Sequence, residues 1–158
     1  VNELTKNAAA SLNGEYSAEL EKLRDGNDRE NVFICKSGDE IKYGFESPVE
    51  INEIRLIFDS DLRRETLPGD RCERTHMTRC NVLPDSPVMH LPTTLCKAFK
   101  LFIEYADGTE KLIAEQNENA RRLVKINCRE KDVKAVKLYM TEANCGGKEM
   151  RLFALDVR

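Results

Sequence analysis

The sequence contains no tryptophan, only two histidines and no long uninterrupted apolar run. A membrane-spanning helix needs about 20 consecutive apolar residues, so we expect no membrane span. Neither sign of charge dominates, because 28 acidic side chains stand against 25 basic ones in 158 residues. Proteins that bind a phosphate backbone normally carry a basic excess, so this balance disfavours nucleic acid as a partner.

The composition, with 41% hydrophobic and 34% charged residues, is typical of a globular protein. The length corresponds to a single domain that covers 1–158. The chain begins at Val1 without an initiator methionine, and no apolar signal-peptide core follows. We therefore expect an excised piece of a longer protein.

Short segments in which apolar and polar side chains alternate occur throughout the chain after residue 31. Asp107-Gly108 stands between two of them and predicts a β-hairpin. The eight predicted strands are VFIC, IKYGF, VEINEIRLIF, FKLFIEY, EKLIA, LVKINC, VKAVKLYM and MRLFALDV. About eight short strands with little helix predict an all-β fold, an antiparallel β-sandwich or jelly roll. The side chains predicted to share a buried face include Ile54, Leu56 and Phe58 in the third strand and Phe153, Leu155 and Val157 in the last.

One short N-terminal helix precedes the strands. Tyr16, Leu20 and Leu23 have the spacing of one helix face, and Ser17 is a candidate N-cap. Asp25-Gly26 is expected to end this helix.

A long inserted loop is predicted at 59–95, because this segment has no sustained periodicity and contains four of the five prolines. Structureless loops of such length are uncommon in compact domains and are often functional. No aromatic residue lies between Phe58 and Phe99, which disfavours a carbohydrate site in this loop.

The six cysteines are even in number, but no two of them form a CxxC motif. Cys35 and Cys128 end apolar strand segments and are expected to be buried thiols. Buried thiols slightly favour a cytoplasmic protein. An exported protein with disulfides is the alternative, and Cys72 with Cys80 is then the first pair to test.

Catalysis is disfavoured by the residues present. A nucleophilic enzyme needs a basic partner for its Ser or Cys, and the two histidines, His76 and His90, both lie in the long loop. No GxSxG, GxGxxG or phosphate-loop motif occurs. Asp59 and Asp61 could serve as acid and base, but the favoured interpretation is that these carboxylates either solvate the loop entrance or accept backbone hydrogen bonds.

The sequence offers two candidate metal sites, and both are disfavoured. Calcium could bind at Asp25, Asn27 and Asp28, although a helix end followed by a solvated loop explains these residues better. Zinc would need two thiolates and two imidazoles of the long loop, whose gaps of three, three and nine residues do not match structural zinc motifs. These zinc candidates are Cys72, His76, Cys80 and His90.

The long loop also carries arginines that could bind a carboxylate or a phosphate. Acidic residues are interleaved with them, so an internal ion-pair network is an equally supported interpretation. The arginines are Arg63, Arg64, Arg71, Arg74 and Arg79.

Several longer strings carry a family resemblance. NAAASLNGEYSAELEKLRDGNDREN looks like the opening of discoidin-like, galactose-binding-like sandwiches. In order, PVEINEIRLIFDSDLRR, LPTTLCKAFKLFIEYADG, NENARRLVKI and GGKEMRLFALDV resemble the C-terminal sandwich domain of bacterial FAD-dependent oxidoreductases. The resemblance implies functional positions at Asp59, Asp61, Lys97, Asn119 and Arg122.

From the residues themselves, Asn119 can cap a turn before LVKINC, and Arg122 can pair with Asp59 or Asp61 if the strand ends meet. The candidates for ligand binding or domain docking are Asp59, Asp61, Arg63, Arg71, His76, His90, Lys97, Asn119 and Arg122.

The leading hypothesis is a non-catalytic accessory module of a larger FAD-dependent oxidoreductase. The resemblance implies that FAD and an upstream FAD-binding catalytic domain belong to the parent, and that this chain has no cofactor of its own. The alternative is a carbohydrate-binding module of a secreted or surface protein. An independent enzyme that uses His76 or His90 is the least favoured hypothesis.

Overall fold

The computed structural model describes residues 2–61 and 90–158. Within them, α1 covers Glu3–Asn7, and two 3₁₀ helices cover Ala18–Arg24 and Asn144–Gly146. The seven strands are β1 (Ala9–Leu12), β2 (Phe33–Cys35), β3 (Glu40–Phe58), β4 (Cys96–Tyr105), β5 (Glu110–Gln116), β6 (Leu123–Ala143) and β7 (Met150–Val157). No helix in this part of the chain is long and apolar enough to cross a membrane.

The strands form an antiparallel β-sandwich, as predicted. β3 and β6 pair with each other along most of their length. Each of them is long enough to contribute one half to each of the two layers. The first layer contains β1, the first half of β3, the second half of β6, β4 and β5. The second layer contains the first half of β6, the second half of β3, β7 and β2.

The predicted strand boundaries differ from the observed ones in two respects. IKYGF with VEINEIRLIF, and LVKINC with VKAVKLYM, each form one long strand. Ser47-Pro48 was expected to separate strands, but the chain continues through register shifts between Gly44 and Val49. A bulge tolerates proline because no ladder hydrogen bond is needed there. β1 was not predicted, so seven strands replace the expected eight.

One core lies between the two layers. Ile54, Leu56 and Phe58 are fully buried, which confirms the predicted face of β3. Phe58 of the second layer packs against Phe99 of the first, with ring centroids 5.3 Å apart. Residues of both layers therefore belong to the same hydrophobic cluster.

The predicted face of β7 is wrong at Phe153. Leu155 and Val157 lie in the main core, whereas Phe153 packs with Ile57 in a separate small cluster. The register between β3 and β7 shifts between Ile57 and Phe58. Because of this bulge, the side chains at the start of β7 lie on the opposite side of the sheet from the one that strict alternation predicts.

The hairpin predicted at Asp107-Gly108 joins β4 and β5. Gly108 has φ +83°, a conformation that glycine adopts without strain. The Asp107 carboxylate accepts hydrogen bonds from the Thr109 backbone N–H (2.9 Å) and hydroxyl (2.6 Å). These bonds hold the pKa of Asp107 below its ordinary value, with the Thr109 hydroxyl as the largest cause.

The predicted N-terminal helix is a 3₁₀ helix, Ala18–Arg24. Leu20 and Leu23 are buried, as expected, because residues three apart share one side of a 3₁₀ helix. Tyr16 lies before this helix and is 71% exposed, so its assignment to the buried face was wrong. Ser17 occupies the N-cap position but makes no capping hydrogen bond through its side chain.

α1, which was not predicted, closes one side of the sandwich. Its Thr5 hydroxyl donates to the Val157 carbonyl (3.1 Å) and accepts from the Val157 N–H (2.8 Å), as a neighbouring strand would. The Arg24 guanidinium donates to the carbonyl oxygens of Thr5 and Ala8, at 3.2 and 2.6 Å. The 3₁₀ helix and α1 therefore cover the gap between the β1 and β7 edges.

Candidate functional site

The end of the sandwich where β3 ends and β4 begins carries a cluster of buried polar side chains. We define the polar cluster as Asp59, Thr94, Asn119 and Asn144. Each of these side chains is no more than 5% exposed. Buried polar groups are stable only when they are hydrogen-bonded, so the partners of each one show its role.

Asp59 joins the two described stems of the long loop. One carboxylate oxygen accepts from the Asp61 N–H at 2.8 Å, and the other accepts from the Thr94 hydroxyl at 2.7 Å. Arg151 of β7 lies 3.9 Å from the second oxygen. Thr94 comes 35 residues after Asp59. The carboxylate therefore closes the base of the 59–95 loop.

Two asparagines fix the start of β4. The Asn119 amide donates to the carbonyls of Cys96 (2.8 Å) and Arg121 (3.1 Å), and its oxygen accepts from the Arg121 N–H. The predicted turn-capping role of Asn119 is thus confirmed. The Asn144 amide donates to the carbonyls of Leu95 and Asn119, both at 3.1 Å.

The turn after Asn144 packs tightly on the same stem. A Cβ atom at Gly147 would lie 1.8 Å from the Thr93 carbonyl oxygen. Only glycine fits this approach, because contacts of that length are impossible for a methyl group. The loop stem is therefore held from both sides.

The polar cluster acts as a scaffold in this geometry. The bonds to backbone and neighbouring side chains occupy both oxygens of Asp59 and the amides of Asn119 and Asn144. Of the two favoured interpretations of Asp59, a solvated loop entrance and the acceptance of backbone hydrogen bonds, the structure agrees with the second. Thr94 and Asn144 were not among the candidates, since no local pattern marks them.

Lys97 lies next to this cluster and is paired with two carboxylates. Its ammonium group is 2.8 Å from Glu142 and 3.6 Å from Glu118. The hydrogen bond to Glu142 is the main reason that the pKa of Lys97 is raised above its ordinary value. The two glutamates therefore neutralise the charge of Lys97 and use part of its capacity to donate to a ligand.

Arg122 does not form the expected ion pair with Asp59 or Asp61. Its backbone does meet the end of β3, since its carbonyl accepts from the Phe58 N–H at 2.8 Å. Its side chain points elsewhere: the guanidinium carbon lies 5.4 Å from the ring centroid of Phe153, and the guanidinium donates to the Asp28 carbonyl. The prediction failed because the contact between the two backbones does not determine the direction in which the Arg122 side chain points.

The remaining candidates are dispersed. His90 is exposed, with its Nδ1 atom 2.7 Å from the Leu91 carbonyl. Among the described residues no group of three His, Cys, Asp or Glu side chains could hold a metal ion. The candidates that lie outside the described residues are Arg63, Arg64, Arg71, Cys72, Arg74, His76, Arg79 and Cys80.

Two of the calcium candidates make bonds within their own loop, and the third faces an arginine of β3. Asp25 accepts from the Asn27 N–H at 2.6 Å, and the Asn27 side chain accepts from the N–H groups of Arg29 and Glu30. Asp28 lies 3.6 Å from Arg55. These contacts match the favoured interpretation, a helix end followed by a loop.

The thiols of Cys35 and Cys96 are fully buried, as predicted for Cys35, and Cys128 is half-buried. Burial raises the pKa of Cys35 to about 12 and that of Cys96 to about 12. At pH 8 about one in ten thousand of such thiols is ionised. Cys145 is exposed.

We therefore expect iodoacetamide at pH 8 to label Cys145 in the native protein and to leave Cys35 and Cys96 unmodified, because the thiolate is the reacting species. Peptide mapping by mass spectrometry measures the labelling at each position. In denaturant all three should react at similar rates. Labelling of Cys35 at the rate of Cys145 without denaturant would contradict the packing described here.

A surface groove beside β1 was missed by the sequence analysis. This Tyr16 groove has a volume of about 480 Å³ and is lined by small residues of β1 with Tyr16, Lys42 and Gly44. No other aromatic side chain of residues 2–61 and 90–158 is as exposed as Tyr16. Lys42 donates to Glu104 at 2.9 Å, which uses one of its three donors.

The Tyr16 groove therefore combines an aromatic face, a floor of small side chains and a charged donor. The sequence signal related to this groove is Asn13-Gly14, a turn that ends β1 two residues before Tyr16. Two backbone hydrogen bonds close this turn. The Leu12 N–H donates to the Glu15 carbonyl (2.7 Å), and the Glu15 N–H donates to the Leu12 carbonyl (3.0 Å).

No protein-family model matches this sequence, and a search of curated proteins finds no relative. Solved structures do match. The family 32 carbohydrate-binding module of Streptococcus pneumoniae EndoD shares 13% identity, with a TM-score of 0.64 over 96% of this chain and 97% of that one. A Clostridium perfringens module, CpGH89CBM32-4, was solved with GlcNAc-α-1,4-galactose; it shares 10% identity, with a TM-score of 0.65 over 99% and 92% of the two chains.

A third similar structure is chitosan-binding module 1 of a chitosanase/glucanase from Paenibacillus sp. IK-5. It shares 11% identity, with a TM-score of 0.63 over 100% of this chain and 99% of that one. At these identities the likeness shows the fold alone. The expected discoidin-like, galactose-binding-like sandwich is confirmed, whereas the link to FAD-dependent oxidoreductases and FAD as a parent's cofactor stay predictions.

Proposed function

We propose that this chain is a non-catalytic carbohydrate-binding module. The observation that carries the proposal is the similarity of its fold, over nearly its whole length, to carbohydrate-binding modules. Some of these were solved with galactose, N-acetylgalactosamine or GlcNAc-α-1,4-galactose. Because fold alone is a weak guide to function, the proposal also needs a surface suited to sugars.

The Tyr16 groove supplies such a surface. A pyranose ring presents apolar C–H groups on its faces and hydroxyl groups around its rim. The exposed ring of Tyr16 can pack against the C–H face of the sugar. Lys42 and the Ser11 hydroxyl can form hydrogen bonds with the sugar hydroxyl groups. Gly44 and Ala9 have little or no side chain, so the floor of the groove leaves space for a ligand.

Asp59 of the polar cluster is not placed to act as a general acid or base. Asp59, which follows β3, holds Thr94 and the Asp61 backbone, so its carboxylate is engaged in maintaining the loop stems. A general acid or base needs to reach the substrate proton directly or through one water. Asp59 is only 4% exposed.

A panel of galactose, N-acetylgalactosamine, GlcNAc-α-1,4-galactose and chitosan oligosaccharides tests the proposal by thermal unfolding. A sugar at about ten times its Kd should stabilise the native chain by about 1.4 kcal/mol, which raises Tm by a few degrees. We expect Tyr16→Ala to weaken binding at least about fivefold, since one aromatic contact contributes about 1 kcal/mol.

Tyr16→Phe should retain most of the affinity, because it keeps the aromatic face. Leu112→Ala removes another exposed side chain, on β5, and should bind as the native chain does. Absence of any shift across the panel would refute carbohydrate binding. A shift that survives Tyr16→Ala would instead remove the Tyr16 groove from the proposal.

A further inference from the structure

The two sides of the sandwich are closed differently. α1 and the 3₁₀ helix Ala18–Arg24 cover the side where β1 and β7 lie. On the opposite side, the gap between β5 and the start of β6 forms a groove of about 470 Å³. We call it the side groove, and its lining includes Phe99, Ala114, Arg121, Val124, Lys125 and Ile126.

Both strands beside this groove are sheet edges. β5 is the outermost strand of the first layer. Residues Leu123–Asn127 of β6 pair with β3 on one side, and no described strand pairs with their other side. An edge strand presents unpaired N–H and C=O groups to which an extended chain can add.

The side chains along this edge alternate in character. Val124 and Ile126 are half-buried and contact the core, whereas Lys125 and Asn127 are exposed on the outer face. An added strand would follow the same alternation, with apolar side chains opposite Val124 and Ile126. Its other side chains would lie opposite Lys125.

The charge of the rim indicates which side chains these would be. Arg121 and Lys125 are exposed and have no carboxylate partner among the described residues. The one carboxylate of the lining, Glu118, lies 3.6 Å from Lys97. On the neighbouring strands, by contrast, Lys100 pairs with Glu115 and Lys111 pairs with Glu130. Opposite charges across a strand pair are stabilising and like charges are destabilising. A second copy of this chain that paired through the same edge would oppose Lys125 with its own cations and is therefore a poor occupant.

We propose that the side groove binds an extended acidic peptide segment of a partner protein, which adds as a strand along Leu123–Asn127. Apolar side chains of the segment fill the floor formed by Phe99, Val124 and Ile126. Carboxylates at the alternate positions pair with Arg121 and Lys125. The site is separate from the Tyr16 groove, so it does not depend on carbohydrate binding.

Fluorescence anisotropy with the full chain tests this proposal. The probe is a labelled peptide of about six residues, the usual strand length, in which valine and glutamate alternate. We expect saturable binding that weakens with added salt. Arg121→Glu combined with Lys125→Glu should lower the affinity at least about tenfold. Lys148→Glu, a charge reversal on an exposed residue outside the groove, is the matched control.

Three peptide controls distinguish strand addition from general attraction. A valine–lysine peptide should not bind the native chain. A glutamate-only peptide should bind at least about tenfold more weakly, because it has no side chains for the floor. A valine–glutamate peptide N-methylated at alternate amides should lose binding, because the ladder needs backbone donors. Equal binding of any of these peptides, or no binding of the valine–glutamate peptide, would overturn the proposal whether or not the double variant folds.

Discussion

Asp59→Ala is expected to destabilise the protein by about 3 kcal/mol, because it removes a buried carboxylate that several donors share. The Thr94 hydroxyl and the Asp61 N–H lose their acceptor, and Arg151 loses a nearby charge. The corresponding fall in Tm is about 6–12 °C for a chain of this size. Urea unfolding followed by circular dichroism measures the loss as a lower midpoint with little change in slope.

Asp59→Asn separates the charge of this side chain from its shape. The amide keeps one acceptor oxygen for the Asp61 N–H, so the expected loss is smaller, about 1–2 kcal/mol. Asp107→Ala is a suitable control, because it removes an exposed carboxylate at the β4–β5 turn. It should shift the midpoint much less. Equal effects of Asp59→Ala and Asp107→Ala would show that Asp59 does not hold the loop stems together.

The fold was largely predictable because its signals are local. Ile54, Leu56 and Phe58 alternate with polar residues, and this period alone assigns a buried face. Asp107-Gly108 predicts its hairpin for the same reason, since the turn is determined by two residues. Strand boundaries were less predictable, because Ser47-Pro48 is accommodated by a bulge in β3 that depends on pairing with β6.

The polar cluster could be predicted only in part. Asp59 directly follows an apolar strand, and Asn119 lies in the turn before LVKINC, where the family resemblance also marks it. Thr94 is bonded to Asp59 across 35 positions, and Asn144 is bonded to Leu95 across 49. Such pairs arise from the packing of the two layers, and a single sequence carries no local pattern for them.

Side-chain direction was the least predictable feature. Arg122 was expected to pair with Asp59 or Asp61 if the strand ends met, and its backbone does lie beside Phe58. Its guanidinium nevertheless lies over Phe153, a residue that a bulge in β7 moves out of the main core. An irregularity of the β3–β7 pairing thus determines where this arginine points, and it is not visible in the sequence pattern.

The ion pair between Arg55, which is partly exposed, and the fully buried Asp156 gives the other large expected effect. These residues lie opposite each other on β3 and β7. Asp156 is fully buried and accepts from the Arg55 Nε atom at 2.8 Å, while its second oxygen has no partner among the described residues. Arg55→Met should therefore cost about 3–5 kcal/mol, since it leaves a buried carboxylate without its cation.

Combining Arg55→Met with Asp156→Leu tests this explanation directly. The double variant should recover at least about 2 kcal/mol of the loss, because it removes the desolvated charge together with its partner. Lys100→Met breaks an exposed pair with Glu115 and should cost less than about 1 kcal/mol. If the double variant is less stable than Arg55→Met alone, then burial of the Asp156 charge is not the source of the loss, and side-chain packing between β3 and β7 is.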